Sequence, residues 1–370
     1  MSLDQRITYI LPLRSSAPQD ATELTPYLRE LSVHAEVIVV DGSAAAIFAT
    51  HAQSWGAIVR HVPPDDALAT PMGKVGSVLT GLRLASAERV VIADDDVRYD
   101  APTLHRVADA LDDADVVRPQ NYFHPTLWHA CWDTGRTLLN RMIGGDWPGT
   151  LAVRRSTLHR TNGYDGRAMF ENLELVRTVR AAGGRELVLL DAYVLRRPST
   201  SRHFWSQRVR QAYDELARPA RLATQLAILP AAVLLGVRGS WAAIAAGIAL
   251  TVGVAEAGRR RAGGRRVFPV RASLMAPVWL AERAVCSWLA VGARVALGGV
   301  PYRGTILKHA ATPMRVLRSR YSSAAPTTVH SAAASASTSM SMGLNDPLFD
   351  NSAEHAVTPT IRSISALSSR

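Results

Sequence analysis

The chain has 370 residues, a formal net charge of +11, 48% hydrophobic residues and two cysteines. That composition excludes a wholly disordered or collagen-like chain and leaves room for one large domain or two smaller ones. Cys131 and Cys286 give no disulfide framework and suit a reducing, cytosolic setting. The basic residues crowd beside apolar stretches, as at Arg218, Arg221 and Arg259, and do not lie along an aromatic platform. This favours an anionic membrane surface, and not nucleic acid, as the partner.

Met1 to Arg6 runs directly into a strand-like segment with no signal peptide pattern, so the first domain is expected on the cytoplasmic side. Short Val-, Ile- and Leu-rich runs bounded by Gly, Pro or Asp predict strands at 6–12, 36–41, 57–62, 89–94, 115–118, 149–154 and 186–191. Helix patterns fall between them, at 22–32, 43–54, 74–86, 101–112, 127–142 and 171–182. Strands alternating with helices imply an α/β fold, a mostly parallel sheet with helices on both faces.

Several segments of this region carry chemistry. Asp41 ends the apolar run 37–40 and could accept hydrogen bonds from a base or ribose, or cap the next helix. Gly73-Lys74 opens a helix, where Lys74 could meet a phosphate, although the spacing is not that of a P-loop. Asp94-Asp95-Asp96 ends an apolar strand. Three adjacent carboxylates repel one another unless a cation is present. Asp94 and Asp96, two apart, share one side of an extended chain and suit a divalent cation, with an acidic turn as the competing reading. Trp147, in a Gly-rich loop, could wall an acceptor pocket or pack as core. Glu171 and Glu174 open a helix, where carboxylates favour the dipole and one near a hydroxyl could serve as general base. The basic, aromatic segment 202–211 holds Gln207 and Arg210, which could bind a diphosphate or its sugar.

After residue 217 the composition changes. Segments 222–237 and 240–257 are nearly free of charge and are joined at Arg238-Gly239, which predicts a transmembrane hairpin with both ends in the cytoplasm. Residues 271–297 are apolar but carry Glu282 and Arg283, so an interfacial helix competes with a third span. The Ser-, Ala- and Thr-rich stretch 320–370 reads as a disordered tail.

Taken in order, these motifs resemble the inverting GT-A glycosyltransferases of family two, closest to the membrane-bound ceramide-glucosyltransferase-like branch with its bacterial carotenoid glycosyltransferase relatives. The resemblance covers about residues 6–310. Asp41 matches the family's nucleotide-binding aspartate, and Asp94-Asp95-Asp96 its metal-binding DxD. Glu171-Asn172 falls where the family usually has Glu-Asp, and Gln207 to Gln211 matches QxxRW except that Gln211 replaces the Trp. Gly298 to Thr305 is similar to a Gly-Gly-x-x-Tyr-Arg-Gly stretch after the membrane region.

The resemblance implies a GT-A catalytic domain at 1–217, membrane-associated helices at 218–310, and transfer of a sugar from a nucleoside diphosphate to a lipid hydroxyl. Asp41, Lys74, Asp94, Asp95, Gln207 and Arg210 would bind the donor, and Asp94 and Asp96 would hold Mg²⁺ or Mn²⁺. Glu171 would be the base with Glu174 in reserve, and Trp147 and Trp205 would lie on the acceptor side. A polyprenyl-phosphate acceptor is one alternative within this class. Outside it stand a nucleotidyltransferase, for which 12–20 lacks the Gly richness of a triphosphate loop, and a non-catalytic membrane scaffold.

Overall fold

A computed structural model describes residues 6–18, 23–302 and 304–322. The tail expected at 320–370 lies outside the described residues from 323 onward, as does Arg303 of the glycine-rich stretch. Residues 320–322 close a helix instead, Met314–Ser322 (α12).

The expected alternation is present. The α/β region runs β1 (Ile7–Leu13), α1 (Leu24–Leu31), β2 (Glu36–Asp41), α2 (Ala45–Trp55), β3 (Arg60–Val62), α3 (Gly73–Leu84) and β4 (Arg89–Ala93). It continues with β5 (Val97–Arg98), α4 (Ala101–Asp109), β6 (Val116–Phe123), α5 (Trp128–Met142), β7 (Thr150–Arg154), α6 (Arg155–Arg160), α7 (Glu171–Ala181), β8 (Glu186–Arg196) and α8 (Ser201–Tyr213). Local chemistry fixes several starts. The Asp100 carboxylate accepts the Thr103 N–H at 2.8 Å, with proline in the first turn of α4. The Thr200 hydroxyl caps α8 through the His203 N–H.

Eight strands form one sheet in the order β3-β2-β1-β4-β7-β6-β8-β5. Alternate side chains of β1 feed two cores on opposite faces. Tyr9 and Leu11 pack with α1 and α4, while Ile10 packs with α3 and α7. The sheet is mixed, because β7 runs antiparallel to both β4 and β6, and β5 runs antiparallel to β8. This reversal matters for the site. An antiparallel β7 begins where β4 ends, with Thr150 opposite Ala93, so the 144–149 loop sits at the carboxyl edge beside Asp94. Two strands outrun the segments expected for them. β6 continues to Phe123 and β8 to Arg196, paired in parallel with a register shift between Arg118 and Gln120. Polar residues follow 118, and Asp191 interrupts the apolar run of β8, yet the ladder continues in both.

Three apolar helices come next: α9 (Pro219–Val237), α10 (Trp241–Arg260) and α11 (Val270–Leu297). By length and composition each could cross a membrane. A short hairpin, β9 (Val300–Tyr302) with β10 (Thr305–Leu307), leads back to the α/β region. There the Met169 and Phe170 N–H groups donate to the His309 and Ala310 carbonyls, both at 2.8 Å.

Close backbone approach fixes α10 on α5. A methyl group at Gly258 would meet the Leu138 carbonyl oxygen at 2.0 Å, and backbone cannot swing away as a flexible side chain can. Gly258→Ala is expected to destabilise the protein by about 1–3 kcal/mol, the usual cost of overpacking. Thermal unfolding of the detergent-solubilised protein reads this as a lowered Tm, and an unchanged Tm would refute it.

Candidate active site

The carboxyl edge of the sheet gathers the charged side chains. Asp94 leaves β4 with its N–H bonded to the Gly149 carbonyl at 2.8 Å. Lys74, in the first turn of α3, bridges Asp94 Oδ1 (2.5 Å) and Glu171 Oε1 (2.6 Å). Arg196, carried in by the long β8, bonds Asp96 Oδ2 at 2.9 Å and Asp94 Oδ2 at 3.3 Å. One ammonium and one guanidinium therefore hold three carboxylates together.

The electrostatics follow from this arrangement. Burial opposes ionisation of Asp94, but Lys74 and Arg196 hold its carboxyl below the usual range. Burial pushes Asp96 up against the pull of Arg196. Asp95 is raised to about 6 by burial and its two acidic neighbours. Lys74 stays protonated because Asp94 and Glu171 outweigh its desolvation.

Asp94 and Asp96 fit a divalent cation. Both offer hard oxygen donors to a single positive group, and Asp96 Oδ1 is buried without a partner among the described residues.

Asp94, Asp96, Glu171 and Arg196 line a cavity of about 270 Å³, and Lys74 is bonded to two of them without being a lining residue itself. Asp94, Asp96, Glu171, Trp147 and Gln207 of the expected residues line it. Trp147 packs edge-on against Phe170, with the Arg118 guanidinium 4.1 Å from its ring.

Other expected residues lie elsewhere. Asp41 is buried, its Oδ2 taken by His51 Nδ1 (2.6 Å) and His61 Nε2 (3.1 Å) and its Oδ1 by the Ser43 N–H. These contacts hold its carboxyl well below the usual range despite burial. It does not line the cavity, because β1 lies between β2 and β4. Asp41, His51 and His61 bring their donor atoms within 4.8 Å of one another, but close hydrogen bonds fill that space. Asp95 is not a lining residue; it sits with Asp96 in a turn after β4, in place of the extended chain expected there, closed by the Val97 N–H on the Asp94 carbonyl at 3.1 Å.

Glu174, the reserve base, is fully buried and accepts the Thr312 N–H at 2.6 Å, so it anchors the segment after β10. Arg210 stacks over Tyr302 of β9 and is not a lining residue. Trp205 is 51% exposed and belongs to a surface cluster with Trp128, Trp132 and Phe204.

Helical spacing explains the last two corrections. Phe204, Gln207, Arg208 and Gln211 of α8 share one face and all line the cavity, which leaves 205 and 210 outside it. Arg208 therefore stands where Arg210 was expected, bonded to Asp133 at 3.0 Å. The signal for it was the i, i+3, i+4, i+7 pattern once 201–213 is read as a helix. Asp133, Arg136 and Asp214 also line the cavity, with Trp279 and Arg283 supplied by α11. Burial, with Glu171 adding to it, drives Asp214 well above the carboxylate range. No local pattern marks these residues, which long-range packing brings in.

No family model matches the chain, and no curated protein matches it. Among solved structures, a mannosyltransferase from Pyrobaculum calidifontis in complex with GDP-Man and Mn²⁺ is similar at 20% identity with a TM-score of 0.46, covering 77% of this chain and 87% of that one. TarS from S. aureus in complex with UDP-GlcNAc is similar at 18% identity and a TM-score of 0.38, covering 54% and 61% of the two chains. Mannosyl-3-phosphoglycerate synthase from Rubrobacter xylanophilus is similar at 13% identity and a TM-score of 0.40, covering 59% and 74%.

Proposed function

We propose that this chain is a membrane-attached, inverting glycosyltransferase of the GT-A type. It moves a sugar from a nucleoside diphosphate to the hydroxyl of a membrane lipid. One observation carries the reading: Asp94, Asp96, Lys74, Glu171 and Arg196 converge at the carboxyl edge of an α/β sheet, on a cavity that an apolar helix helps to wall. Ligands of such sheets bind at that edge.

Asp94 and Asp96 would hold Mg²⁺ or Mn²⁺, and the ion would supply positive charge against the diphosphate leaving group. The diphosphate competes with the carboxylates for Lys74 and Arg196, which bind it by charge-assisted hydrogen bonds. Glu171, released from Lys74, takes the proton of the acceptor hydroxyl. The oxygen attacks the anomeric carbon from the side opposite the leaving group, the bond to the diphosphate breaks, and the configuration inverts. Trp147 and Phe170 wall the acceptor side. Asp41 orders α2 and β3 beside the nucleotide edge. The catalytic domain faces the cytoplasm and the helices after 217 attach it to the cell membrane.

A phosphorylated lipid, such as a polyprenyl phosphate, is the second reading of the acceptor. Arg136, Arg218 and Arg283 favour it, because each has a buried Nε without a partner among the described residues.

The test is release of nucleoside diphosphate by the detergent-solubilised protein, screened across donor sugars with Mn²⁺ and membrane lipid extract. Release from one donor, lost in Asp96→Ala and on chelation, is the expected result. Turnover of no donor would make the protein a non-catalytic scaffold. Fractionating the extract into neutral and phosphorylated lipids separates the two acceptor readings.

A further inference from the structure

We infer that α11 lies flat in the membrane interface, its outward apolar stripe buried in one leaflet, so that the cavity backs directly onto the bilayer. The inference rests on membrane attachment but on no step of the transfer chemistry.

Its basis is an inverted amphipathic pattern. The polar side chains of α11 point into the protein. Ser273 donates to Glu256 at 3.0 Å, Ser287 to Gln225 at 2.9 Å, and Arg283, only 1% exposed, to the Arg208 carbonyl and Gln211 Oε1 at 3.3 Å. Glu282 lies 3.6 Å from the Arg208 guanidinium. The apolar side chains point out: Leu274 is 61% exposed, Val285 47% and Leu289 54%, with Val278 and Trp288 on the same surface. Between Arg271 and Arg294 no exposed position carries a charge. A helix facing water would have the opposite arrangement. Apolar outside and polar inside is the pattern of a helix whose outer solvent is lipid.

The tethers of α11 distinguish lying flat from crossing. Its 28 residues span about 42 Å, enough to cross a bilayer. Yet both ends are bonded to the same α/β region. Arg271 donates to the Thr126 carbonyl at 2.8 Å, and Arg294 donates to the Lys308 carbonyl at 3.0 Å, which also accepts the Tyr213 hydroxyl. Its first third is pressed on α5, where a methyl group at Gly135 would come within 2.9 Å of the Ala276 backbone, and Arg283 ties its middle to α8. A helix held to one water-facing region at both ends and along its length cannot cross. It can only lie along the surface. The far part of the α9–α10 hairpin has no such partners: Val233, Val237, Trp241, Ile248 and Leu250 are all exposed. Trp128 and Trp205, 53% and 51% exposed, flank the start of α11 and supply the aromatic anchors usual at a headgroup boundary. On its inner side α11 gives Trp279 and Arg283 to the cavity. One helix thus touches lipid outside and the reaction space inside.

The test places an environment-sensitive fluorophore at Leu274→Cys, Val285→Cys, Ile248→Cys or Glu30→Cys of the full chain. The native cysteines are buried, and unsubstituted protein gives the labelling background. Each variant is reconstituted in phosphatidylcholine–phosphatidylglycerol vesicles with brominated lipid. Loss of most fluorescence at 248, 274 and 285, with none at 30, is expected. Quenching at 248 alone would overturn the flat helix and leave membrane attachment standing. Quenching at none would overturn both. A membrane-impermeant maleimide then probes Arg14→Cys and Arg318→Cys. Labelling of both from one side is expected, and labelling from opposite sides would mean that α11 crosses.

Discussion

Glu171→Gln is expected to lower kcat by about 10²–10⁴-fold, the usual worth of a general base. Gln keeps the size of Glu171 and an oxygen for Lys74, so donor KM should change little. Only the ability to take a proton is lost. The control is Glu174→Gln. Glu174 is buried and bonded to the Thr312 N–H, so its replacement should lower Tm and leave kcat nearly intact. Steady-state release of nucleoside diphosphate from both variants checks the pair. Equal loss of kcat in the two would remove Glu171 from its role.

Arg208→Met should have the largest effect on stability, about 3–5 kcal/mol, because it takes the nearest cation from two buried carboxylates and leaves Asp133 with Arg136 alone. Arg208 is bonded to Asp133 and lies 3.6 Å from Glu282, with all three side chains almost wholly enclosed. Adding Asp133→Asn should recover part of the loss by removing one stranded charge. Acid titration adds an independent reading. Burial pushes the Asp133 carboxyl up, but Arg136 and Arg208 outweigh it and hold it at about 2, below its ordinary 3.8. A folded value below the unfolded one means that the stabilisation is complete above the unfolded value and lost as pH falls toward 2. Arg208→Met should flatten that acid limb, and unfolding followed across the range would detect it. An unaltered limb and an unaltered Tm would show that the pair is worth nothing net.

The strands and helices of the catalytic region were legible because each core strand is a short apolar run closed by Gly, Pro or Asp. The reversal of β7 was not legible, since direction leaves no mark on composition. Asp94, Asp96 and Glu171 could be found because they sit at element ends next to apolar runs. Lys74 stood out at a helix start as a candidate for phosphate, while its bridge to Glu171 needed the fold, being 97 residues distant in sequence. The partners of Asp41 were not legible, because a strand-end carboxylate can face a ligand or side chains of the same chain, and His51 and His61 reach it from 10 and 20 residues away. That Arg208, and not Arg210, lines the cavity follows from the helix at 201–213, which the motif alone does not show. Arg196 lies beyond the strand end expected at 191, because Asp191 interrupts an apolar run that resumes with the buried Ala192 and Val194.

The two residues that α11 gives to the cavity bear on how modular this protein is. A boundary at 217, natural from composition, would cut away Trp279 and Arg283 along with the apolar helices. What remained would not be the same reaction vessel freed from its anchor. It would lack one wall and expose Asp133 and Arg208 where α11 had covered them. Solubility and a complete reaction space are therefore bound together in this chain. Making the domain water-soluble calls for repainting the outer stripe of α11 with polar side chains, with the helix itself retained.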